Sequence, residues 1–251
     1  MVISLAGRKG FLRYCFAVSR TVLIVDGDSP LGRSLVRRFR EAGDRVVATR
    51  GVGEKPEPGQ DGTGVVRAGW SRASPVSARN VMLSALTAHD RLDMAVFVFT
   101  PSLKRLLLHE TDYTEIESAL DEHLRGALFL LREVLGRFVR QGGGALALVH
   151  GFVAGRSAES PPLEAAVRGG ISELTSSILA SYDGEGVSVY RFETESPAAE
   201  EYAGYVFDTL CRKGRRPARP GTYVFRERTG LLERLPFRFR REGSGRAAGD
   251  T

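Results

Sequence analysis

The stretch that decides the fold is TVLIVDGDSPLGRSLVRRFREAG, residues Thr21 to Gly43. Its first five residues are apolar or β-branched and lead directly into turn residues, which is typical of a buried strand. A helix then begins, because Ser29 is a good N-cap and Pro30 suits the first helical position, and Gly43 ends it. A second strand follows at residues 45–50, so the stretch opens a βαβ unit with parallel strands.

The same alternation continues along the chain. Apolar runs predict further strands at residues 63–69, 92–100, 145–151 and 187–193. Helical spacing of apolar residues predicts helices at residues 74–89, 114–141 and 163–184. Six strands alternating with helices predict an α/β fold with a doubly wound, mostly parallel sheet of the Rossmann type.

Length and composition favour a single domain. The chain has 251 residues, of which 42% are hydrophobic, and this is enough for one sizeable core. We expect a Rossmann-like domain at residues 21–210, preceded by a basic N-terminal extension at residues 1–20. An arginine-rich arm at residues 211–251 follows, and its end is expected to be disordered.

The cysteines and the N-terminus indicate the compartment. Cys15 and Cys211 are far apart and form no CxxC pair, which argues against a disulfide framework and a structural zinc site. No apolar run is as long as a membrane span, and Arg8, Lys9 and Arg13 interrupt the N-terminal apolar stretch. The sequence therefore predicts a cytoplasmic protein without a membrane-spanning segment.

The net charge of +6 is concentrated at the C-terminal end, where residues 212–251 include twelve basic and four acidic residues. Aromatic side chains alternate with arginines there, a pattern that can grip an acidic protein or a nucleic-acid strand. Docking of this arm on its own domain is the simpler interpretation. Because the chain has four lysines and thirty-two arginines, its charge is weak support for nucleic acid, and we disfavour that partner.

The succession of segments from Thr21 to Glu193 resembles the short-chain dehydrogenase/reductase family. HLRGALFLLREVLGRFVRQGGGALALVHGFVAG, residues 123–155, is similar to the fourth helix, glycine turn and fifth strand of that family. RLDMAVFVFT, residues 91–100, is similar to its fourth strand. The resemblance implies an NAD(P) cofactor and hydride transfer to or from a carbonyl group.

The family's first loop is Gly-x-x-x-Gly-x-Gly, whose glycines let the backbone approach the cofactor pyrophosphate. Here the loop reads GDSPLG, one residue shorter and without the middle glycine, so Gly27, Ser29 and Gly32 are the candidate cofactor contacts. Arg50, at the end of the second strand, suits the 2′-phosphate of NADP.

The charge of this loop opposes a phosphate ligand. Asp26 and Asp28 place two carboxylates where the pyrophosphate would lie, and like charges in a poorly hydrated cleft repel. Aspartates at a helix N-terminus also stabilise the helix dipole without any ligand. We therefore expect weak NADP binding or none.

The catalytic positions implied by the resemblance have also changed. The reductases use a Tyr-x-x-x-Lys pair, with a serine and an asparagine beside it. Matching by segment places the tyrosine on Ser160, the lysine on Glu164, the serine on His150 or Gly151, and the asparagine on His123. None of the four lysines stands four residues after a tyrosine, so the sequence contains no Tyr-x-x-x-Lys motif.

Three functional hypotheses follow. The first is a pseudoenzyme of this family that acts as a binding or scaffold partner. The second is an enzyme of changed chemistry, in which His123, His150 and Glu164 would face one cleft beyond the carboxyl ends of the strands, with no metal predicted. The third is an NADP-dependent oxidoreductase.

The resemblance also implies a partner surface. The fourth and fifth helices of this family pack across a dimer axis, and small residues that permit close approach occur in the fifth helix: Ala165, Ala166, Gly169 and Gly170. We expect a homodimer or homotetramer formed through these helices, and a further protein partner remains open.

Overall fold

The computed structural model describes residues 19–52, 64–153, 160–182, 184–211 and 218–227. These residues form one sheet of seven parallel strands in the order β3-β2-β1-β4-β5-β6-β7. The strands are β1 Thr21–Val25, β2 Arg45–Gly51, β3 Val65–Trp70, β4 Met94–Phe99, β5 Gly144–Val153, β6 Val187–Thr194 and β7 Gly221–Phe225. The helices are α1 Pro30–Glu41, α2 Pro75–His89, α3 Tyr113–Leu120, α4 Gly126–Arg140, α5 Pro162–Ser181 and α6 Ala199–Leu210.

Helices cover both faces of the sheet. One hydrophobic layer, which includes Phe39 and Tyr202, joins the sheet to α1 and α6. The other layer, which includes Phe97 and Phe138, joins it to α2, α4 and α5. The central strands are buried on both sides, which explains their nearly continuous apolar sequences. The predicted doubly wound α/β fold is thus confirmed.

The sequence explains how the first helix begins and ends. The Ser29 hydroxyl accepts a hydrogen bond from the Gly32 backbone amide at 3.0 Å, and Pro30 is the first helical residue. Gly43 follows the helix with a φ of 88°, in the left-handed region that glycine adopts easily. This helix therefore starts within the loop that leaves β1.

The long helix predicted at residues 114–141 is divided. A π-helical turn, Asp121–Arg125, separates α3 from α4. Directly after the turn, Gly126 packs against Arg72, and a Cβ at Gly126 would lie 2.6 Å from the Arg72 Cβ. The π-helical turn therefore lies next to the residues that follow β3.

The sheet also continues beyond residue 210. Residues 221–225, which we assigned to the C-terminal arm, form β7 and pair in parallel with β6. Tyr223 stacks on Phe192 with a centroid distance of 5.4 Å, so this part of the arm docks on its own domain. Residues 1–18 and 228–251 lie outside the described residues. Within the described ranges, no helix combines the length and apolar character needed to cross a membrane.

Candidate functional site

A cleft of about 760 Å³ opens beyond the carboxyl ends of β1–β4. The strand order reverses here, because β2 and β3 lie on one side of β1 and β4 lies on the other. Ligands bind at this point in open α/β sheets, and the volume suits a small molecule. Much of the lining is charged or polar, and it includes Asp26, Asp28, Arg50, Arg72, Thr100 and His123.

The loop after β1 brings two carboxylates to the floor of the cleft. Asp26 has a φ of 65°, a conformation that glycine adopts more easily than aspartate. Gly32 packs so closely on it that a Cβ there would lie 2.1 Å from the Asp26 carbonyl oxygen. Gly27 packs on β2, where its Cβ would lie 2.8 Å from the Cβ of Ala48. Contacts within the chain therefore account for both glycines.

This geometry changes how the loop matches the family pattern. We matched the first glycine to Gly27, which made the loop one residue short. The left-handed residue is Asp26, and counting from Asp26 to Gly32 gives all seven positions of Gly-x-x-x-Gly-x-Gly. Asp26 and Pro30 then stand in place of the first two glycines. The assignment of Gly27 as the first glycine stays a prediction beside this second alignment.

Asp26 joins the ends of three other strands, two through its side chain and one through its backbone amide. Arg72, which follows β3, donates from Nη2 to Oδ1 at 2.6 Å, and Thr100, which follows β4, donates from Oγ1 to Oδ2 at 2.7 Å. The Asp26 amide also donates to Thr49 Oγ1 in β2 at 3.0 Å. Arg72 is held in turn over the Trp70 ring, 5.0 Å from its centroid. Both oxygens of this carboxylate are thus used within the protein.

Asp28 forms a second ion pair in the same loop. Arg67 of β3 donates from Nη1 to Asp28 Oδ1 at 3.0 Å. Ser29 uses its hydroxyl on the Asp26 carbonyl oxygen and on the first turn of α1. A dinucleotide pyrophosphate is anionic and needs free amides at such a loop. Two carboxylates and a serine that already caps the helix do not fit that group.

Arg50 lies where the sequence placed it, at the rim of the cleft. It is the second-last residue of β2, is half-buried, and stands opposite Gly69 of β3 in the sheet register. A guanidinium in this position can meet an anionic group of a ligand. The role of Arg50 as a cofactor contact stays a prediction.

Glu164 and Arg168 form a buried ion pair at the start of α5. Arg168 Nη2 lies 2.5 Å from Glu164 Oε1, and the Leu103 amide donates to Glu164 Oε2 at 3.0 Å. Arg168 also donates to Ser160 Oγ at 2.8 Å and lies 5.2 Å from the ring centroid of Phe152. Two predicted candidates, Ser160 and Glu164, are thus partners of an arginine that the sequence reasoning missed.

The spacing of this pair is that of Tyr-x-x-x-Lys. We matched the tyrosine to Ser160 and the lysine to Glu164, but α5 begins at Pro162, so Ser160 precedes the helix. Glu164 and Arg168 both lie on α5, four residues apart on one side of the helix. Glu164 and Arg168 thus offer a second alignment with the same spacing, and that spacing was the signal that could have identified Arg168.

The same side of α5 continues as a polar stripe beside β6. Arg191 of β6 donates to Ser172 Oγ at 2.9 Å and to Ser176 Oγ at 2.7 Å, and it pairs with Glu193 at 2.5 Å. Residues 164, 168, 172 and 176 recur every four positions and so share one side of the helix. The charged groups along this stripe are paired with one another.

His123 lies in the π-helical turn and lines the cleft. Burial lowers its pKa, and the nearby Arg72 guanidinium lowers it further, while Glu122, Asp26 and Glu164 oppose this shift. The neutral imidazole is therefore favoured. Of the residues predicted for acid–base chemistry, His123 is the one that faces the cleft.

His150 is buried in the core, with a solvent exposure of 0%. Its ring stacks on Phe152 at a centroid distance of 5.0 Å and meets Phe99 edge-on at 6.0 Å. His150 Nε2 lies 3.0 Å from Thr175 Oγ1, and the Thr175 hydroxyl also lies within hydrogen-bond distance of the Ser172 carbonyl oxygen. Nδ1 is buried without a hydrogen-bond partner among the described residues.

His123 lines the cleft, whereas His150 and Glu164 are not among its lining residues, although Glu164 lies close enough to His123 to act on its pKa. Strand alternation turns His150 toward α5, and Glu164 is bound by Arg168 and the chain at Leu103. Gly151, the other candidate for the reductase serine, has no room for a side chain, since its Cβ would lie 2.5 Å from Thr100 Cγ2. In the described part of the chain, no three His, Cys, Asp or Glu residues form a group that could hold a metal ion.

Comparison with known sequences adds little to this geometry. No family model matches the chain. An uncharacterized protein of Treponema pallidum (strain Nichols) is 29% identical over 140 residues, which is 54% of this chain. The match covers 62% of that protein, so it spans less than two thirds of its length.

Solved structures show the class of fold. A short chain dehydrogenase from Bacillus anthracis superposes with a TM-score of 0.66 and 16% identity, over 82% of this chain and 94% of the other. A short-chain dehydrogenase from Streptomyces avermitilis superposes with a TM-score of 0.63 and 15% identity, over 83% of this chain and 88% of the other. The 3-ketoacyl-(acyl-carrier-protein) reductase of Brucella melitensis, solved with NADH, superposes with a TM-score of 0.61 and 16% identity, over 76% of this chain and 82% of the other. The chain therefore has the fold of the short-chain dehydrogenases.

We predict that the Glu164–Arg168 pair is structurally important. Glu164→Gln removes the charge that balances Arg168 in a buried setting, so it should lower the free energy of unfolding by about 2 kcal/mol. Asp121→Asn is the matched control, because Asp121 and Arg125 have the same spacing and the same 2.5 Å distance on the surface. Asp121→Asn should lower the free energy of unfolding by less than about 0.5 kcal/mol. Equal losses in urea unfolding would contradict the prediction.

The burial of His150 predicts a dependence of stability on pH. Burial first, and Arg191 second, lower the pKa of His150 from 6.5 to about 3. Between these values the unfolded chain binds one proton more than the folded chain. Stability that is complete above pH 6.5 is therefore lost progressively as the pH falls toward 3.

His150→Phe should reduce this slope by up to about 1.4 kcal/mol per pH unit, because it removes the group that takes up the proton. Urea unfolding at several pH values measures the slope. Thr175→Val is the control, since it removes the hydrogen-bond partner but leaves the imidazole buried, and it should keep the slope. An unchanged slope in His150→Phe would show that other groups control acid unfolding.

Proposed function

We propose that this chain is a short-chain dehydrogenase-like protein that does not transfer hydride and acts as a binding or scaffold partner. The observation that carries the proposal is the Glu164–Arg168 ion pair, which has the spacing of the reductase Tyr-x-x-x-Lys. In the reductases, the tyrosine gives its proton to the substrate carbonyl and the lysine lowers the pKa of that tyrosine. A glutamate and an arginine do not reproduce this chemistry.

The hydrogen bonds of the pair support this view. Glu164 accepts from Arg168 at one oxygen and from the Leu103 amide at the other, so it acts as an acceptor on both sides. A carboxylate in this role has no proton to give to a carbonyl oxygen. A guanidinium group is a poor general acid. This pair therefore supports the proposal that the chain has no reductase-type acid.

Support on the cofactor side comes from the loop after β1. Asp26 and Asp28 place two carboxylates where a pyrophosphate would be needed. We infer that NAD(P) binds weakly or not at all. Arg50 at the rim of the cleft suits the 2′-phosphate, so any residual binding should favour NADPH over NADH.

A second candidate is an NADP-dependent oxidoreductase or an enzyme of changed chemistry. One observation favours it: a cleft of about 760 Å³ remains, with Arg50 and His123 in its lining. A neutral imidazole there can act as a base toward a bound molecule. This candidate requires that His123 work without Glu164 and His150, which have other partners.

We also propose that the chain forms a homodimer or homotetramer through α4 and α5. Ala166 and Gly169 are exposed on α5, and a Cβ at Gly169 would meet nothing within 4 Å. Leu128 and Val139 are exposed on α4, at 48% and 46%. Small and apolar side chains on neighbouring helices allow a second helix pair to approach closely. Another protein partner is also compatible with this proposal, and a nucleic-acid partner is not proposed.

The proposal predicts that the purified chain does not oxidise NADPH or NADH with a panel of aldehydes, ketones and 3-ketoacyl thioesters. Absorbance of the reduced cofactor should fall no faster than in a sample without protein. An active 3-ketoacyl reductase in the same assay controls for the panel. Turnover above background would contradict the proposal, and its loss in His123→Gln would favour the second candidate.

The oligomer is tested by sedimentation velocity. Gly169→Arg places a long charged side chain on the exposed face of α5, so it should shift a dimeric or tetrameric wild type toward the monomer. Asn80→Arg adds the same charge to the exposed face of α2 and should leave the assembly unchanged. A monomeric wild type, or a Gly169→Arg variant that assembles as before, would rule out this interface.

A further inference from the structure

We infer that Asp26 and Asp28 are internal substitutes for a diphosphate, and that they occupy an anion site built from Arg67, Arg72 and Thr100. The inference rests on the proposed loss of cofactor binding and explains it by a specific set of contacts. The ligand class that this site would take, once the carboxylates are neutralised, is a molecule that carries a diphosphate.

The donors around the two carboxylates are the kind that a diphosphate needs. Arg72 Nη2 lies 2.6 Å from Asp26 Oδ1, and Thr100 Oγ1 lies 2.7 Å from Asp26 Oδ2. Arg67 Nη1 lies 3.0 Å from Asp28 Oδ1. Guanidinium groups and hydroxyls bind phosphate oxygens with the same geometry that they use for carboxylates. All of these donors are side chains, so the anion site does not depend on a backbone amide of the loop.

The position of the arginines matters as much as their chemistry. Arg67 lies in β3 and Arg72 just after it, while both aspartates follow β1. Because β2 separates these strands, both side chains must reach across the carboxyl end of β2 to meet the loop. The two carboxylates therefore lie above the switch point, on the floor of the cleft rather than on the outer surface.

Burial distinguishes Arg67 most clearly from arginines in surface pairs. The side chains of Arg67 and Arg72 are 12% and 29% exposed, whereas Arg37 and Arg38, which pair with Glu200 on α6, are 51% and 30% exposed. Solvent and salt screen a partly buried charge less than an exposed one. An unpaired guanidinium at this depth therefore has a stronger tendency to take another anion.

Charge balance gives the expected effect. In the native chain the two carboxylates pair with the guanidinium groups of Arg67 and Arg72. Replacing both aspartates by asparagine keeps their shape and removes the negative charges that balance these two arginines at the loop. The native loop is thus closed to diphosphates by its own side chains.

The test is a calorimetric titration with inorganic pyrophosphate at low salt. Asp26→Asn/Asp28→Asn should bind pyrophosphate at least about tenfold more tightly than the wild type, and added salt should weaken that binding. Introducing Arg67→Gln and Arg72→Gln as well should abolish the gain. Glu200→Gln is the matched control, because it frees Arg37 and Arg38 outside the cleft and should leave pyrophosphate affinity at the wild-type level.

Two results would overturn the inference. One is a folded double variant that binds pyrophosphate no more tightly than the wild type. The other is a gain that persists without the two arginines. If the double variant does not fold, Asp28→Asn alone decides the question, since it frees Arg67 and leaves Asp26 in place, and the absence of any gain would overturn the inference.

The outcome is separable from the proposed function. Carbonyl-dependent oxidation of NADPH by the wild type would refute the proposed function, whatever the variants bind. A wild type without turnover, together with variants that gain no pyrophosphate affinity, would refute the internal substitution alone.

Discussion

The contact on which the cleft depends is the Asp26 carboxylate, held by Arg72 and Thr100. It links the loop after β1 to the ends of β3 and β4, at the point where the strand order reverses. The left-handed backbone of Asp26 costs on the order of 1 kcal/mol, and these hydrogen bonds offset that cost. Asp26 therefore holds the loop in place and balances the charge of Arg72 on the floor of the cleft.

The charged groups beside α5 follow the same physical principle. Glu164 and Arg168 satisfy each other, and Arg191 is held by Glu193 and two serines of α5. Charges that are paired within the chain stabilise a fold but are not available to polarise a substrate. His150 fits this description, because its imidazole is kept neutral between two phenylalanine rings and is used in packing.

Much of the fold could be predicted from the sequence, because apolar periodicity and capping residues such as Ser29 act locally. The side of the sheet that His150 faces could also be predicted. His150 is two residues from each of the core residues Leu148 and Phe152 in β5, so all three side chains face the same side. The pairing of Arg67 with Asp28 could not be predicted, because it joins residues 39 positions apart across an intervening strand. β7 was missed because arginines dominate the composition around its five residues.

The most direct test of this account is a calorimetric titration of the wild-type protein with NADPH at low salt. Charge-assisted contacts are strongest under these conditions, so even weak binding through Arg50 would be detected. The account predicts no heat of binding, or binding no tighter than about millimolar. Micromolar binding would contradict it, because two paired carboxylates on the cleft floor would then be compatible with a bound pyrophosphate.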